Sequence, residues 1–406
     1  MQSFPRPPDK VLQRLAARHG TPLWVYDAAV LDARIAEWQR AFDGSDHRIC
    51  YAVKANGTLA ILQRFARAGL GFDVVSCGEL ARVERAGGAP GDTVFSGVGK
   101  RADEIDAALA AGIGSLNCES APELELINAR AGNARLTAPV ALRVNPGVDA
   151  GTHRHIATGD HDDKFGIPLD EAASLARYAA TLPGIALHGL AVHIGSQLTD
   201  LAPVSAALER TLALHDALTA SGLRLTQLDA GGGLGVRYRD ETPPSVADYA
   251  ALLRRCIGER KLRLVVEPGR ALVAEAGVLV ARVELVKPGA QHAFVVVDAG
   301  MSELIRPALY DAWHPLEVIG MPGEAFSCEV VGPLCESGDV LGRARTLYAE
   351  AGDLVVVGCA GAYGSSMSSH YNARPRAAAV MLDGNDARVV RKRETIADLW
   401  RGETMS

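Results

Sequence analysis

The sequence predicts an α/β protein: a (β/α)8 TIM-like barrel over residues 27–272, then a mostly β domain over residues 273–406 that also takes in residues 1–26. Three observations predict it. Short β-branched or apolar runs alternate with longer amphipathic stretches through the first two-thirds of the chain. Eight strand-then-helix units over about 240 residues fit the usual barrel size of about 250. After Arg270 the helical texture stops, and apolar runs separated by Gly, Pro and Asp turns take over. A doubly wound sheet is the alternative arrangement of the same alternation.

Taken in order, the barrel strands are expected at residues 48–53, 72–75, 93–96, 115–118, 140–144, 187–193, 227–230 and 263–267. Helical patterns separate them. Leu201, Val204, Leu208 and Leu212, at spacings of three and four, mark one buried helix face. The β domain is expected to hold strands at 278–286, 293–297, 326–331, 354–357 and 377–382, and residues 21–26 read as a strand contributed to it from the N-terminal side. No internal repeat or low-complexity segment appears.

Composition narrows the function. Hydrophobic residues make up 48% and charged residues 22%, ordinary for a chain with a large core. The net charge of −6 argues against nucleic acid and anionic membranes as partners, since both demand a basic face. The seven cysteines are odd in number, thinly spread and free of any C-x-x-C pair, so they form neither a disulfide framework nor a zinc site. Met1 to Lys10 holds prolines and charges instead of an apolar signal core. No apolar run reaches the roughly 20 residues that span a bilayer. A reducing cytoplasm is the expected setting.

Barrel active sites gather where strands end, and the unusual polar residues fall there. Lys54 closes the first strand, His193 the sixth and Glu267 the eighth, while Gly231-Gly232-Gly233-Leu234-Gly235 follows the seventh. A lone lysine at a strand end ordinarily snorkels to solvent. A desolvated one, with a lowered pKa, suits Schiff-base formation. Three consecutive glycines make either a bland turn or a phosphate cradle of backbone N–H groups. They match neither the Walker nor the Rossmann spacing. Glu267 ends the apolar run Leu264-Val265-Val266, so it either pairs with Arg270 or serves a ring nitrogen that must stay protonated. His193 alone is more often a satisfied core histidine than a catalyst. On one rim, these residues specify an aldehyde cofactor with a phosphate tail and a basic ring nitrogen, and pyridoxal 5'-phosphate meets that description.

The separated motifs Tyr51-Ala-Val-Lys-Ala-Asn56, Phe95-Ser-Gly-Val-Gly-Lys100, Arg143-Val-Asn-Pro146, Lys164-Phe-Gly-Ile167 and His193-Ile-Gly-Ser-Gln197 go further. So do Glu267-Pro-Gly-Arg270, Arg306-Pro-Ala-Leu-Tyr310, Cys335-Glu-Ser-Gly-Asp339 and Gly361-Ala-Tyr363. Across nearly its whole length the chain resembles the barrel-fold decarboxylases related to alanine racemase, and within them the diaminopimelate decarboxylase family.

The resemblance implies roles. Lys54 holds the cofactor as a Schiff base and His193 stacks on its ring. Ser196, Gly233 and the backbone of Glu267, Gly269 and Arg270 hold its phosphate, and Tyr363 approaches cofactor and substrate from the second domain. Arg270, Arg306 and Tyr310 hold substrate, with arginine suited to carboxylate. Glu336 pairs with the distal amino group, and Cys335 reprotonates the α-carbon. Cys335 and Glu336 reach across a homodimer interface in that family. The implied activity is conversion of meso-2,6-diaminopimelate to L-lysine and carbon dioxide.

Two further readings stand beside it: a decarboxylase of another basic or carrier-bound amino acid, and a non-catalytic cofactor-binding homologue. Retention of Lys54, Glu267 and Cys335 argues against the last. Ser365, Ser366 and His370 depart from the family pattern beside the implied substrate wall. His153, His155 and His161 are too poorly spaced for a metal and read as a surface loop or lid, and Cys118 with Glu119 as a solvated strand end.

Overall fold

The computed structural model describes residues 4–149 and 164–405. The histidine-rich loop expected to be a lid lies outside the described residues. The chain divides into two compact units, one of residues 35–236 and 242–271, the other of residues 1–34, 237–241 and 272–406.

The first unit is the barrel. Its eight strands are His47–Ala52, Gly71–Val74, Thr93–Phe95, Ser115–Cys118, Ala138–Asn145, Ile185–Val192, Gln227–Asp229 and Arg263–Val266. Each pairs in parallel with the next, and the last closes on the first through Leu264 against His47 and Val266 against Ile49. Closure removes every open edge. The strands are short and rich in Val, Leu, Ile and Phe because both faces are covered, which leaves no polar face to alternate with. Three outer helices start where a serine caps their free N–H groups: Ser76 accepts from Glu79 N–H, Ser120 from Glu123 N–H and Ser245 from Asp248 N–H.

The ring of helices is assembled differently from eight strand-then-helix units. Seven strands are each followed by a long helix, but the eighth leads only into the four-residue turn Arg270–Val273. The remaining outer helix, Ala28–Phe42, comes before the first strand. Its Trp38 stacks on Phe42 and meets Tyr249 of the helix Val246–Ile257 edge-on. The sequence order hides this, because the chain passes straight from the eighth strand into the second unit.

That second unit is a nine-stranded mixed sheet. The strand Leu23–Asp27 lies within it, antiparallel to Gly277–Lys287 and parallel to Ala378–Asp383. Leu12 and Leu15 of the first helix pack with Val25, Val280, Val356 and Val380 into its core. Strands Leu316–Ile319, Val340–Leu347 and Asp386–Arg391 were not expected. The last two carry arginines and exposed positions instead of an apolar run.

Candidate active site

The C-terminal ends of the barrel strands converge on a cavity of about 190 Å³, walled by Lys54, Ser96, Asn117, Arg143, His193 and Glu267 among others. Strand pairing sets these residues at one level, so three of the predicted site residues do meet.

Lys54 sits in the single turn Val53–Ala55 that ends the first strand. Its side chain is 38% exposed, not fully desolvated as the preceding apolar run implied, and its amine pairs with Asp73 of the second strand, which is wholly buried. One oxygen of Asp73 bonds the lysine, while its other, Oδ1, is buried without a hydrogen-bond partner among the described residues.

Glu267 stands opposite, in a cluster of carboxylates that sequence reading missed. Asp229 is buried and its carboxyl hydrogen-bonds that of Glu267. Burial, reinforced by Asp229 and Asp73, holds the Glu267 carboxyl well above its ordinary range. Like charges this close do not both ionise, so the pair retains a proton. Asn117 Nδ2 donates to Asp229 Oδ2 at 3.0 Å and to Ser96 Oγ at 3.1 Å, and Ser96 Oγ donates to Glu267 Oε1 at 3.3 Å. A signal was present: Asp73 is the single polar residue of Gly71–Val74, and Asn117 and Asp229 share a strand face with Ser115 and Gln227.

The glycine loop is shaped by close approach. Gly231 has φ +65° and Gly233 φ +111°. A Cβ on Gly232 would lie 2.1 Å from the Glu267 carbonyl oxygen, and one on Gly233 2.4 Å from that of Gly195. Two of the expected phosphate donors are already used. Gly231 N–H donates to Asp229 Oδ1 at 2.9 Å, and Gly232 N–H to His193 Nδ1 at 3.2 Å. The amides of Gly233 and Gly269 donate to no described group. Arg270 donates to Ser196 Oγ at 2.9 Å.

Accepting at Nδ1 leaves the His193 proton on Nε2. Burial, with Arg143 and Lys54 nearby, pushes its pKa well below the usual value and keeps the ring neutral and able to stack. Arg143, also missed as a site residue, donates to Glu119 Oε1 at 3.0 Å and lies 5.0 Å over Phe165. Glu119 accepts from Gly97 and Gly166 N–H as well, and is buried, not solvated. Its neighbour Cys118 is buried too, its thiol pushed up to about 12.

The remaining predicted residues lie in the β unit. Arg306 opens the short helix Arg306–Tyr310; it is buried, donates to His314 Nε2 at 2.7 Å and lies 4.6 Å over the Tyr238 ring. Tyr310 is half-buried at the end of that helix. Cys335 and Glu336 are exposed, with Cys335 N–H donating to Asn372 Oδ1 at 3.1 Å. Tyr363 has the left-handed φ of +52°. Of the departures from the family pattern, Ser365 bonds Tyr26 at 2.9 Å and His370 bonds Glu394 at 2.6 Å.

These residues fit pyridoxal phosphate on two structural grounds. The proton trapped between Glu267 and Asp229 is what a basic ring nitrogen would take up. The Gly233 amide is spare, and it lies on a loop where a Cβ at Gly232 or Gly233 would collide with backbone. Residues 28–274 match the family model for the pyridoxal-dependent decarboxylases, pyridoxal binding domain. The chain belongs to that family, and within it to the diaminopimelate decarboxylases.

It is 51% identical to the diaminopimelate decarboxylase of Neisseria meningitidis serogroup B over 391 residues, covering 96% of this chain and 94% of that protein. It is 50% identical to that of Vibrio cholerae over 396 residues, covering 97% and 95%. Among solved structures, Helicobacter pylori diaminopimelate decarboxylase complexed with L-lysine is similar at a TM-score of 0.93 and 40% identity, over 96% of this chain and 98% of that one.

Proposed function

We propose that the chain decarboxylates meso-2,6-diaminopimelate to L-lysine and carbon dioxide, the last step of lysine biosynthesis, with pyridoxal 5'-phosphate as cofactor. The observation that carries this reading is the Glu267–Asp229 pair, which stores a proton facing Lys54 across one small cavity. Identity of 51% to a named diaminopimelate decarboxylase supports the substrate. When bound, the cofactor supplies an electron sink for the pair left behind as carbon dioxide departs.

The protein's own groups do the rest. Lys54 offers the amine that tethers the cofactor, and Asp73 holds that amine in place. Glu267 keeps a proton at the ring nitrogen, with Asp229 and Ser96 fixing its carboxyl. Neutral His193, which lines the cavity, would help to hold the cofactor's ring. Ser196, Gly233, Gly269 and Arg270 hold the phosphate. In the β unit, Arg306 and Tyr310 hold the carboxylate that does not react, and Glu336 pairs with the ammonium beside it. Cys335 returns a proton to the α-carbon, and Tyr363 contacts cofactor and substrate.

The protein is proposed to work as a homodimer in the cytoplasm. For the compartment, the seven free cysteines are what a reducing setting would keep.

Borohydride reduction of the loaded protein, followed by peptide mapping, should place the cofactor on Lys54. Carbon dioxide release should then be measured with meso-diaminopimelate, ornithine, arginine and lysine. Release from the first alone is expected. Preference for any of the other three would overturn the substrate assignment, and no trapped cofactor would overturn the chemistry.

A further inference from the structure

The β unit contains a second cavity, of about 490 Å³, within the usual range for small-molecule sites of about 300–1,000 Å³. Phe4, Trp313, Leu316 and Leu347 give it apolar walls, and Arg239 and Arg345 bring cations to it.

Arg345 is the informative residue. It belongs to the strand Val340–Leu347, whose pairing with Phe326–Val331 slips between Cys328 against Arg345 and Val330 against Gly342. Next to Arg345, Ala344 has φ +49°, a conformation that a residue with a Cβ holds only at a cost. Bulges of this kind re-aim side chains. Here the result is an arginine only 8% exposed, between the exposed Ala344 and Thr346.

Its guanidinium lies 4.1 Å over the Trp313 ring, and its Nη2 donates to the His314 carbonyl at 2.9 Å. No carboxylate pairs with it among the described residues, and its Nε has no hydrogen-bond partner there. The acidic side chains of the wall already have cations of their own. Glu317 pairs with Arg6, Glu275 with Arg34 at 3.2 Å, and Asp240 with Arg239 at 3.2 Å. Burial and the charge of Arg239 push the Arg345 pKa down to about 10. A buried cation without a counter-ion is strongly unfavourable. A backbone distorted to create one calls for an anion.

We propose that this cavity is a binding site for a small carboxylate with an apolar body, its carboxylate on Arg345 and its body against Trp313. The site is also wired to Arg306. Arg345 holds the carbonyl of His314, while the Nε2 of the same histidine accepts from Arg306. Tyr238 lines the cavity and also lies under the Arg306 guanidinium. Occupancy therefore shifts Arg306 and changes how tightly substrate is held. This coupling rests on the reading of Arg306 as a substrate residue; the binding site itself does not.

The test uses loaded enzyme containing 5-fluorotryptophan. Its four tryptophans give four 19F resonances, with that of Trp313 assigned by its absence in Trp313→Phe. Benzoate is titrated as the probe and benzamide as its neutral counterpart. Benzoate should shift the Trp313 resonance saturably, with benzamide at least tenfold weaker. Arg345→Gln should weaken benzoate at least tenfold. The benzamide comparison needs no variant, so it decides the matter even if Arg345→Gln fails to fold. No saturable shift, or equal binding of the two probes, overturns the site. Saturating benzoate should also change the substrate KM at least threefold at constant kcat. Binding with KM unmoved would overturn the coupling alone. The binding arm gives its answer whatever amino acid the enzyme decarboxylates.

Discussion

Replacing Gly232 with alanine tests how the glycine loop is built. The new Cβ would sit 2.1 Å from the Glu267 carbonyl oxygen, whereas real Cβ contacts essentially never fall below 3.0 Å. The two backbones must therefore part by about 0.9 Å, and no flexible side chain is there to yield. Overpacking of this kind costs about 1–3 kcal/mol. The same separation strains two hydrogen bonds between the loop and the eighth strand, Glu267 N–H to Gly231 O at 2.7 Å and Ala230 N–H to Val265 O at 2.9 Å. Each contributes a net of about 0.5–1.5 kcal/mol. Partial loss of both brings the total to about 2–4 kcal/mol, or roughly 5–15 °C in Tm for a unit of this size. Circular dichroism melts without cofactor read the stability, and titration with pyridoxal phosphate reads the cradle. Gly132→Ala is the control: it is exposed near the end of the helix Ala121–Ala134 with nothing within 4 Å, and should be neutral or stabilising by about 0.5–1 kcal/mol. A Gly232→Ala protein melting within about 1 °C of wild type, with unchanged cofactor affinity, would refute the close-approach argument.

The other expectations concern charge and chemistry. Without cofactor, Glu267 keeps a proton in the native state that the unfolded chain releases above its ordinary value of 4.5. Its contribution to stability is thus intact below that pH and falls as pH rises towards the raised native pKa, by at most about 1.4 kcal/mol per pH unit. Glu267→Gln should flatten this slope, gaining stability relative to wild type between pH 5 and 8 in urea unfolding; parallel curves would count against a retained proton. Cys335→Ser should lower kcat by about 10²–10⁴-fold with little change in KM, as expected for loss of a proton donor; an unchanged kcat would remove it from that role. Glu336→Ala should raise KM for diaminopimelate about 10–100-fold while cofactor absorbance stays intact, and a normal KM would leave the distal ammonium without its proposed partner.

What the sequence displayed depended on where each residue's neighbours come from. The barrel strands were legible because each is a short apolar run, covered on both faces, between helices with their own periodicity. Lys54, His193 and Glu267 stood out because each ends such a run. Asp73, Asn117 and Asp229 did not, since a polar residue within a three- or four-residue strand looks like an interruption of its apolar run until barrel closure brings these side chains together. Glu119 was misread for a related reason: its partners Gly97, Arg143 and Gly166 come from other strand ends and are invisible in the local sequence. The strand Asp386–Arg391 was lost because none of its residues is buried and its apolar pattern is correspondingly faint. Arg345 is hidden more deeply, because its burial depends on a one-residue slip in pairing that no periodicity records.

The position of Leu23–Asp27 in its sheet has a consequence for biosynthesis. Both of its partners, Gly277–Lys287 and Ala378–Asp383, are translated long afterwards. At about 5–20 residues per second, the nascent strand waits on the order of tens of seconds before the first partner emerges. Leu23, Trp24, Val25 and Tyr26, all buried in the finished protein, spend that interval uncovered on the ribosome, where an apolar segment is a natural substrate for holding chaperones. Removing this segment would take the middle out of the sheet, so an N-terminal deletion reaching Leu23 should be far more damaging than its length implies.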